Sequence, residues 1–525
     1  MKKYFSLFSQ ERVKDGIDFA LLPVCLLLAY GSALLVTYGH TDDYSALFNH
    51  QLGWRQMNID WYVASGRPLL AFLNDWLLNR VDSVDGLVKL RILGLLLLLW
   101  LGLQIRRLLL VSQVPGHEAT LVASACVLTP SAAVFVGWAI LSVCMLAGVA
   151  AMFAFASAER TWLAWNVRQH GNWGSVRAAA WLGIAVAALL TAFLIYQPLA
   201  PLFLLAALMR FAFEKNPKRG QRDLLVMLLV YLCTMALYLA IYKLVMVPAQ
   251  ADNIAAIGRG SLDLSPAAVA KALAKTMPML WGGWEFFRSG VHPESMPWPV
   301  RWTVTMVGVA LLLPIGLWRI GCSVQCDPLR RMIGIALVVL VWLVSLLPML
   351  VLKENYLPIR TLFYSYASLC VLIYLGLKTL TENRVWPRRL TTVFMILLAT
   401  QAGLGLWDGV VRFQGREFAI IKNAVVAMPE RPARLAFIQP CTGFGPELQL
   451  RSHHEYFIFS SHADWVPSAM VNLIWNQREE IGRGHPDTAR LRYTEVERIR
   501  PGQPLPIEYD AVLDAQALLC GVPAR

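Results

Sequence analysis

The chain has 525 residues and carries 47 Lys and Arg against 34 Asp and Glu, a net charge of +13. Only 15% of it is charged and 57% is hydrophobic, with a mean hydropathy of +0.52, whereas a soluble globular protein has roughly 25% charged residues. That balance excludes a disordered chain, a collagen-like chain and an ordinary soluble enzyme, because too few charges remain to coat a water-facing surface.

Lys2, Lys3, Arg12 and Lys14 precede an apolar run over residues 19–38. The run is too long for a cleavable signal and does not end in small residues, so it reads as a retained first helix. Further apolar runs cover 92–111, 119–137, 139–158, 178–196, 198–213, 223–247, 302–318, 332–352, 361–377 and 391–410. Together they predict a polytopic α-helical membrane protein with about 11 spans of about 20 residues each. The pair around Pro130 has no polar turn between its members and reads either as two spans or as a re-entrant hairpin. With the N-terminus inside, the inner segments hold 21 Lys and Arg in 88 residues, against 12 in 123 for the outer ones. The positive-inside rule therefore places the N-terminus in the cytoplasm and residues 411–525 outside, in a bacterial periplasm or its equivalent. The basic excess is explained by this asymmetry and calls for no nucleic acid.

The chain divides into a membrane domain, 1–410, and a tail, 411–525. The tail holds 13 of the Lys and Arg and four of the nine histidines. Short apolar runs at Leu435–Gln439, Glu455–Ser460 and Tyr509–Leu513, bounded by Pro and Gly, predict strands. Ser468–Ile481 has helical periodicity, so a small mixed α/β domain is expected, packed on the membrane domain because of its size.

The first outer loop is the richest in chemistry. Thr41-Asp42-Asp43-Tyr44 puts two adjacent carboxylates at the outer face, able to act as a general base, a metal site or a helix cap. Tyr44–Trp61 is rich in aromatics, and Gly66-Arg67-Pro68 then opens a second helix. There Leu69, Phe72, Leu73 and Trp76 form an apolar stripe of an interfacial kind. Outer-face cations Arg67, Lys353 and Arg360 are placed to meet phosphate oxygens, or simply lipid head groups. Lys243 lies deep in an apolar run, where a cation is costly unless it snorkels outward. Trp281-Gly282-Gly283-Trp284-Glu285 in loop 248–301 could stack on sugars or mark the interface. His453, His454, Glu455 and His462 have no trusted zinc spacing, and neither do Cys322 and Cys326. Cys441 and Cys520, alone in a tail facing an oxidising compartment, are candidates for a disulfide. There is no GxxxxGK loop and no Rossmann fingerprint, so a soluble nucleotide donor is not expected.

A first span ending in Asp42-Asp43, a long outer loop with a juxtamembrane helix, and Gly66-Arg67-Pro68 after it resemble the GT-C fold glycosyltransferases. Tyr196-Gln197-Pro198 and Arg360-Thr361-Leu362-Phe363 resemble patterns of the same group. Within it, the chain looks most like the bacterial enzymes similar to serotype-converting O-antigen glucosyltransferases and pilin glycosyltransferases. The likeness covers the membrane domain; the tail matches no motif.

The resemblance implies an inverting transferase that moves a sugar from a polyprenyl-phosphate donor to a surface glycan (O-antigen, lipopolysaccharide) or a protein. It further implies work at the periplasmic face of the bacterial inner membrane. Asp42 and Asp43 become the acidic pair, one of them the general base. Arg67, Lys353 and Arg360 would bind the donor phosphate, and Tyr44, Tyr196, Gln197, Trp284 and Glu285 would line the substrate cavity. No cofactor is required, and a divalent cation is left open. A transporter or flippase of lipid-linked sugar is the alternative, although the paired helix breaks it favours are not found. A non-catalytic assembly protein is a third reading, and it would tolerate loss of both acids.

Overall fold

The computed structural model describes residues 16–166, 173–214, 216–249, 265–267, 269–270, 273–274, 304–320, 327–350, 358–380, 388–440, 459–479, 493–500, 503–504 and 508–520. Lys353, Trp284, Glu285, Cys441, Cys322, Cys326, His453, His454 and Glu455 lie outside these residues.

The molecule is built mainly of helices. Among the described residues six are long and apolar enough to cross a membrane, and seven if one bent pair counts as a span. That pair is Gly116–Val127 with Pro130–Gly137, bent by 63°. The cause is local: Thr129 is extended and its side chain accepts from the Ala132 N–H, while Pro130 occupies the first helical turn. The second half is buried throughout, and Ala139–Thr161 after it is one of the six candidate spans, so the bend falls inside the 119–137 run and not between the two runs of the expected pair. Two other expected spans are short. The first runs over Gly16–Tyr30 and is interrupted at Gly31, and the run at 198–213 becomes Leu202–Ala212 because Pro198 and Pro201 delay its start.

Lipid-facing surface is legible in the helix faces. On Pro217–Ile241, Leu224, Leu228, Tyr231 and Tyr238 are buried while Leu225, Leu229 and Leu237 are exposed. Apolar groups gain nothing by leaving lipid, so packing between spans relies on close approach. Helices Val304–Ile320 and Phe363–Leu380 show this reciprocally. A Cβ on Gly316 would stand 2.0 Å from the Leu372 carbonyl oxygen, and one on Gly376 would stand 2.4 Å from that of Leu312.

Three short helices occupy the first outer loop: Asp42–Gln51, Arg55–Ala64 and Pro68–Leu78. The last buries Leu70, Ala71, Asn74 and Leu78 and exposes Phe72 and Trp76. Its predecessor exposes Met57 and Trp61, with Trp54 just ahead. This aromatic face matches a helix pair lying on a bilayer surface.

Arg388–Leu406 passes through a π-turn, Trp407–Val411, straight into Arg412–Ala427, so one continuous helix leads into the tail. The tail carries a three-stranded parallel sheet in the order β2-β1-β3, with β1 Arg434–Ile438, β2 Glu495–Ile499 and β3 Ala511–Asp514. Parallel pairing needs a crossover, and helix Val466–Arg478 lies in the β1–β2 connection. Arg431, almost fully buried, donates to Asn472, Asn476, Glu479 and Thr494, tying this helix to the sheet. The tail docks on the first outer loop. Asn476 donates to Gln51 Oε1 at 3.1 Å, Gln477 donates to Asp85 Oδ2 at 2.7 Å, and Phe48 stacks on Tyr493.

Two tail expectations change. Ser460 ends no strand: Ser460–His462 is a 3-10 turn held by a buried carboxylate described below, and residues 455–458 lie outside the described set. Strand β2, Glu-Val-Glu-Arg-Ile, was not expected, because an edge strand with alternating charge lacks an apolar run.

Candidate functional site

The two adjacent acids part company. Asp43 is fully buried in the first turn of helix Asp42–Gln51. Its Oδ2 accepts from the His40 N–H at 2.9 Å and the Ala139 N–H at 3.2 Å, and its Oδ1 accepts from the Ile140 N–H at 2.9 Å. Ala139 and Ile140 begin the 3-10 turn Ala139–Cys144 that leads into helix Met145–Asn166. Asp43 therefore caps a distant helix start, satisfying donors that the helix itself leaves orphaned. Burial pushes its pKa up to about 6, against the nearby Arg91 charge and the three backbone donors, which pull it down. The expectation that either acid could be the base is corrected here: Asp43 has both oxygens engaged by backbone and no access to solvent.

Asp42 is only partly buried. Its Oδ1 accepts from the Trp465 indole N–H at 3.1 Å, so the tail reaches the acid directly. Its charge also bears on Tyr62, whose phenol is pushed up chiefly by burial and then by Asp42, and is pulled down by Asn74 and Arg67. Asp42, Tyr62 and Arg67 are thus electrostatic neighbours.

Arg67 sits between Gly66, at φ +77°, and Pro68. Its Nε donates to Gln197 Oε1 at 3.0 Å and its guanidinium lies 4.8 Å from the Tyr196 ring centre. Gln197 then donates to the Ser65 and Gly66 carbonyls and to the Tyr238 hydroxyl. Tyr242 donates to the Ala64 carbonyl. Gln197, half-buried, latches the Gly66–Arg67 turn to the helices behind it. Tyr44, expected to line a substrate cavity, is instead fully buried: its hydroxyl accepts from the Gly39 N–H at 2.9 Å, and its ring stacks on Phe418. Tyr196 is also fully buried, packed edge-on to Phe135 as well as under Arg67.

Arg360 lies in the 3-10 turn Ile359–Leu362, with its carbonyl accepting from Ser131 Oγ. Its guanidinium is 4.9 Å from the Trp138 ring centre, and the His40 ring stacks on the same indole at 4.4 Å. The charges of Arg67 and Arg360 both reach the buried Cys144 thiol. Trp138–Cys144 therefore joins two of the charged residues: Asp43 caps its start, and Arg360 packs with His40 on its first indole.

Sequence reading missed Trp138, Tyr62, Trp465, Gln414, Ser460 and Glu417. Glu417, fully buried on helix Arg412–Ala427, accepts from the Ser460 and Ser461 N–H groups, each at 2.8 Å, and from Ser461 Oγ. Burial raises its pKa to about 7 despite these donors. Only the oddity of two polar residues, Gln414 and Glu417, on the helix face shared with Phe418, Ile421 and Val425 could have flagged it.

Among the described residues no group of three His, Cys, Asp or Glu side chains is placed to hold a metal ion. Asp43 gives both oxygens to backbone donors, so the acid pair does not form a chelate. Cys520 belongs to a disulfide; its expected partner, Cys441, lies outside the described residues.

Comparison with protein-family models and with characterised proteins finds no match. Among solved structures, the chain is similar to the archaeal oligosaccharyltransferase AglB from Archaeoglobus fulgidus, solved in complex with an inhibitory peptide and a dolichol-phosphate, at 12% identity and a TM-score of 0.37. The match covers 86% of this chain and 65% of that one, so the chain spans just under two thirds of its relative's length.

Proposed function

We propose that the protein is an inverting GT-C-type glycosyltransferase that moves a sugar from a polyprenyl-phosphate donor to a glycan or protein acceptor. The reaction would take place at the periplasmic face of a bacterial inner membrane, and the glycan acceptor would be of the O-antigen or lipopolysaccharide kind. The observation that carries this reading is the division of labour in the acid pair. Asp43 is consumed as a cap, while the adjacent Asp42 is only half-buried, with its carboxylate held by the Trp465 indole.

In this reading Asp42 takes the proton of the acceptor hydroxyl as that oxygen attacks the anomeric carbon. The bond from that carbon to the phosphate oxygen breaks on the opposite face, so the configuration inverts, and its electron pair leaves with the lipid phosphate. The phosphate gains negative charge in the transition state, where the two guanidinium groups stabilise it without proton transfer. Lys353 is proposed as a third cation at the same phosphate. Trp284 and Glu285 are proposed as sugar contacts from the second outer loop. The aromatic face of Arg55–Ala64 and Pro68–Leu78 supports sideways entry of a prenyl chain from the leaflet.

The test uses the full chain in vesicles with radiolabelled polyprenyl-phosphate glucose, galactose or mannose, and rough lipopolysaccharide or a Ser/Thr-rich peptide as acceptor. Label transferred with inverted anomeric configuration supports the reading. Movement of intact donor across the bilayer without bond cleavage would instead identify a flippase.

A further inference from the structure

The tail does more than cover the outer loop. Ser460 Oγ accepts from the Thr41 N–H at 2.8 Å and donates to Gln414 Oε1 at 2.6 Å, so its hydroxyl is fixed in both directions. The Ser460 backbone is fixed in turn, because its N–H and that of Ser461 bind the two oxygens of buried Glu417. Thr41 immediately precedes Asp42 and has φ +27°, a conformation that L residues with a Cβ rarely adopt. Such a conformation persists only where the surroundings over-determine it. Five residues after Ser460, Trp465 donates to the Asp42 carboxylate. One stretch of tail, 460–465, therefore grips the acid twice, once through the peptide before it and once through its side chain.

We infer that Ser460 and Trp465 are positioning residues for Asp42, with Glu417 and Gln414 holding Ser460 in place, so that the tail completes the catalytic loop. This rests on the reading of Asp42 as the general base. The geometry argues for the role because the contacts are made to the Asp42 side chain and to the N–H of Thr41, the residue before it, while separate contacts dock the tail. Gln477 to Asp85 and Asn476 to Gln51 are formed elsewhere on helix Val466–Arg478. A covering domain needs only the latter. A base must point at one hydroxyl, and a misplacement of about 1 Å can cost on the order of a hundredfold in rate.

The test has two arms, both on the full chain in detergent. The first is substrate-independent: hydrogen exchange of peptides covering residues 39–43. Ser460→Ala should speed exchange there at least about fivefold, because the Thr41 N–H loses its acceptor. Gln477→Ala, which removes a docking contact only, should leave it unchanged. The second is turnover of whichever polyprenyl-phosphate hexose of the panel is consumed. Ser460→Ala and Trp465→Phe should each lower kcat about tenfold or more with the donor KM unchanged. Unchanged exchange in Ser460→Ala, or unchanged kcat in both variants while Asp42→Asn is inactive, would overturn the positioning role and leave the proposed function standing. Full activity in Asp42→Asn would overturn the base assignment, and the positioning role with it.

Discussion

Trp465 and Asp42 lie 423 residues apart in the chain and meet at 3.1 Å, indole N–H to carboxylate Oδ1. The contact aims the Asp42 carboxylate from the side of the tail. Nothing comparable is available to Asp43, whose three donors are all backbone groups of the loop and of the helix start it caps.

Asp42→Asn and Asp43→Asn should therefore fail in different ways. Asp42→Asn should fold and insert normally and lose about 10²–10⁴-fold in transfer rate, the usual cost of removing a general base. Asp43→Asn replaces one accepting oxygen by an amide that faces N–H donors. It should cost roughly 1–3 kcal/mol of stability through buried donors left unsatisfied. Thermal unfolding and transfer assays run on the two variants side by side distinguish these outcomes. Equal melting temperatures with equal activity losses would contradict the division.

The buried acids predict how stability changes with pH. Glu417 has its pKa raised from 4.5 to about 7, and Asp43 from 3.8 to about 6, both mainly by burial. In each case the folded chain holds its proton more tightly than the unfolded chain. Their contribution is greatest below the unfolded values and is lost as pH rises through the windows of about 4.5–7 and 4–6. Docking of the tail should accordingly be firmer at pH 5 than at pH 7.5. Glu417 alone accounts for an effect on the order of 2–3 kcal/mol. Glu417→Gln should flatten the difference between melting curves taken at these two pH values, and a difference that survives intact in the variant would count against Glu417.

Gly66→Ala should damage the site through the backbone. Gly66 has φ +77°, and a Cβ there would lie 2.3 Å from the Tyr238 hydroxyl and 3.0 Å from Gln197 Nε2. Either the turn must open or the Gln197 latch must break, at a cost of about 1 kcal/mol or more. The expected result is a lower melting temperature together with a raised donor KM, because Arg67 follows directly. A variant with unchanged KM would show that Arg67 is held independently of the turn.

How much of this was legible in sequence depends on the range of the interaction. The interfacial helix was legible because Phe72 and Trp76 recur at helical spacing, and the turn at Gly66 because only glycine accepts its φ without strain. β1 was legible as an apolar run, whereas β2 was hidden by its alternating Glu and Arg. The acid pair was visible as a pair, but its division was not. Asp43 is selected by the N–H groups of Ala139 and Ile140, nearly a hundred residues away, and no local pattern encodes that contact. Tyr44 was misplaced for the same reason: an aromatic residue at a helix end carries no mark of whether it faces a cavity or a neighbouring turn. Trp465, Ser460 and Glu417 bear on the acid only through the packing of the tail on the first outer loop.

Arg67 offers the last discrimination, between a phosphate fork and a point charge. Its Nε is engaged by Gln197 and its guanidinium lies by Tyr196, so the proposed phosphate contact falls to the terminal nitrogens. A planar guanidinium held at its root in this way can offer two parallel donors to two phosphate oxygens. Lysine keeps the charge but loses the latch and the fork. Arg67→Lys should therefore raise the KM for a polyprenyl-phosphate hexose about tenfold while leaving expression and insertion intact. Gln197→Ala should do the same to a smaller degree, because it frees the guanidinium without removing it. In the double variant the second change should add little, since with lysine at position 67 there is no Nε for Gln197 to hold, and a coupling energy from the double-mutant cycle measures that dependence. Fully additive effects would mean that Gln197 acts on the donor by itself, and an unchanged KM in Arg67→Lys would move the phosphate away from Arg67 altogether.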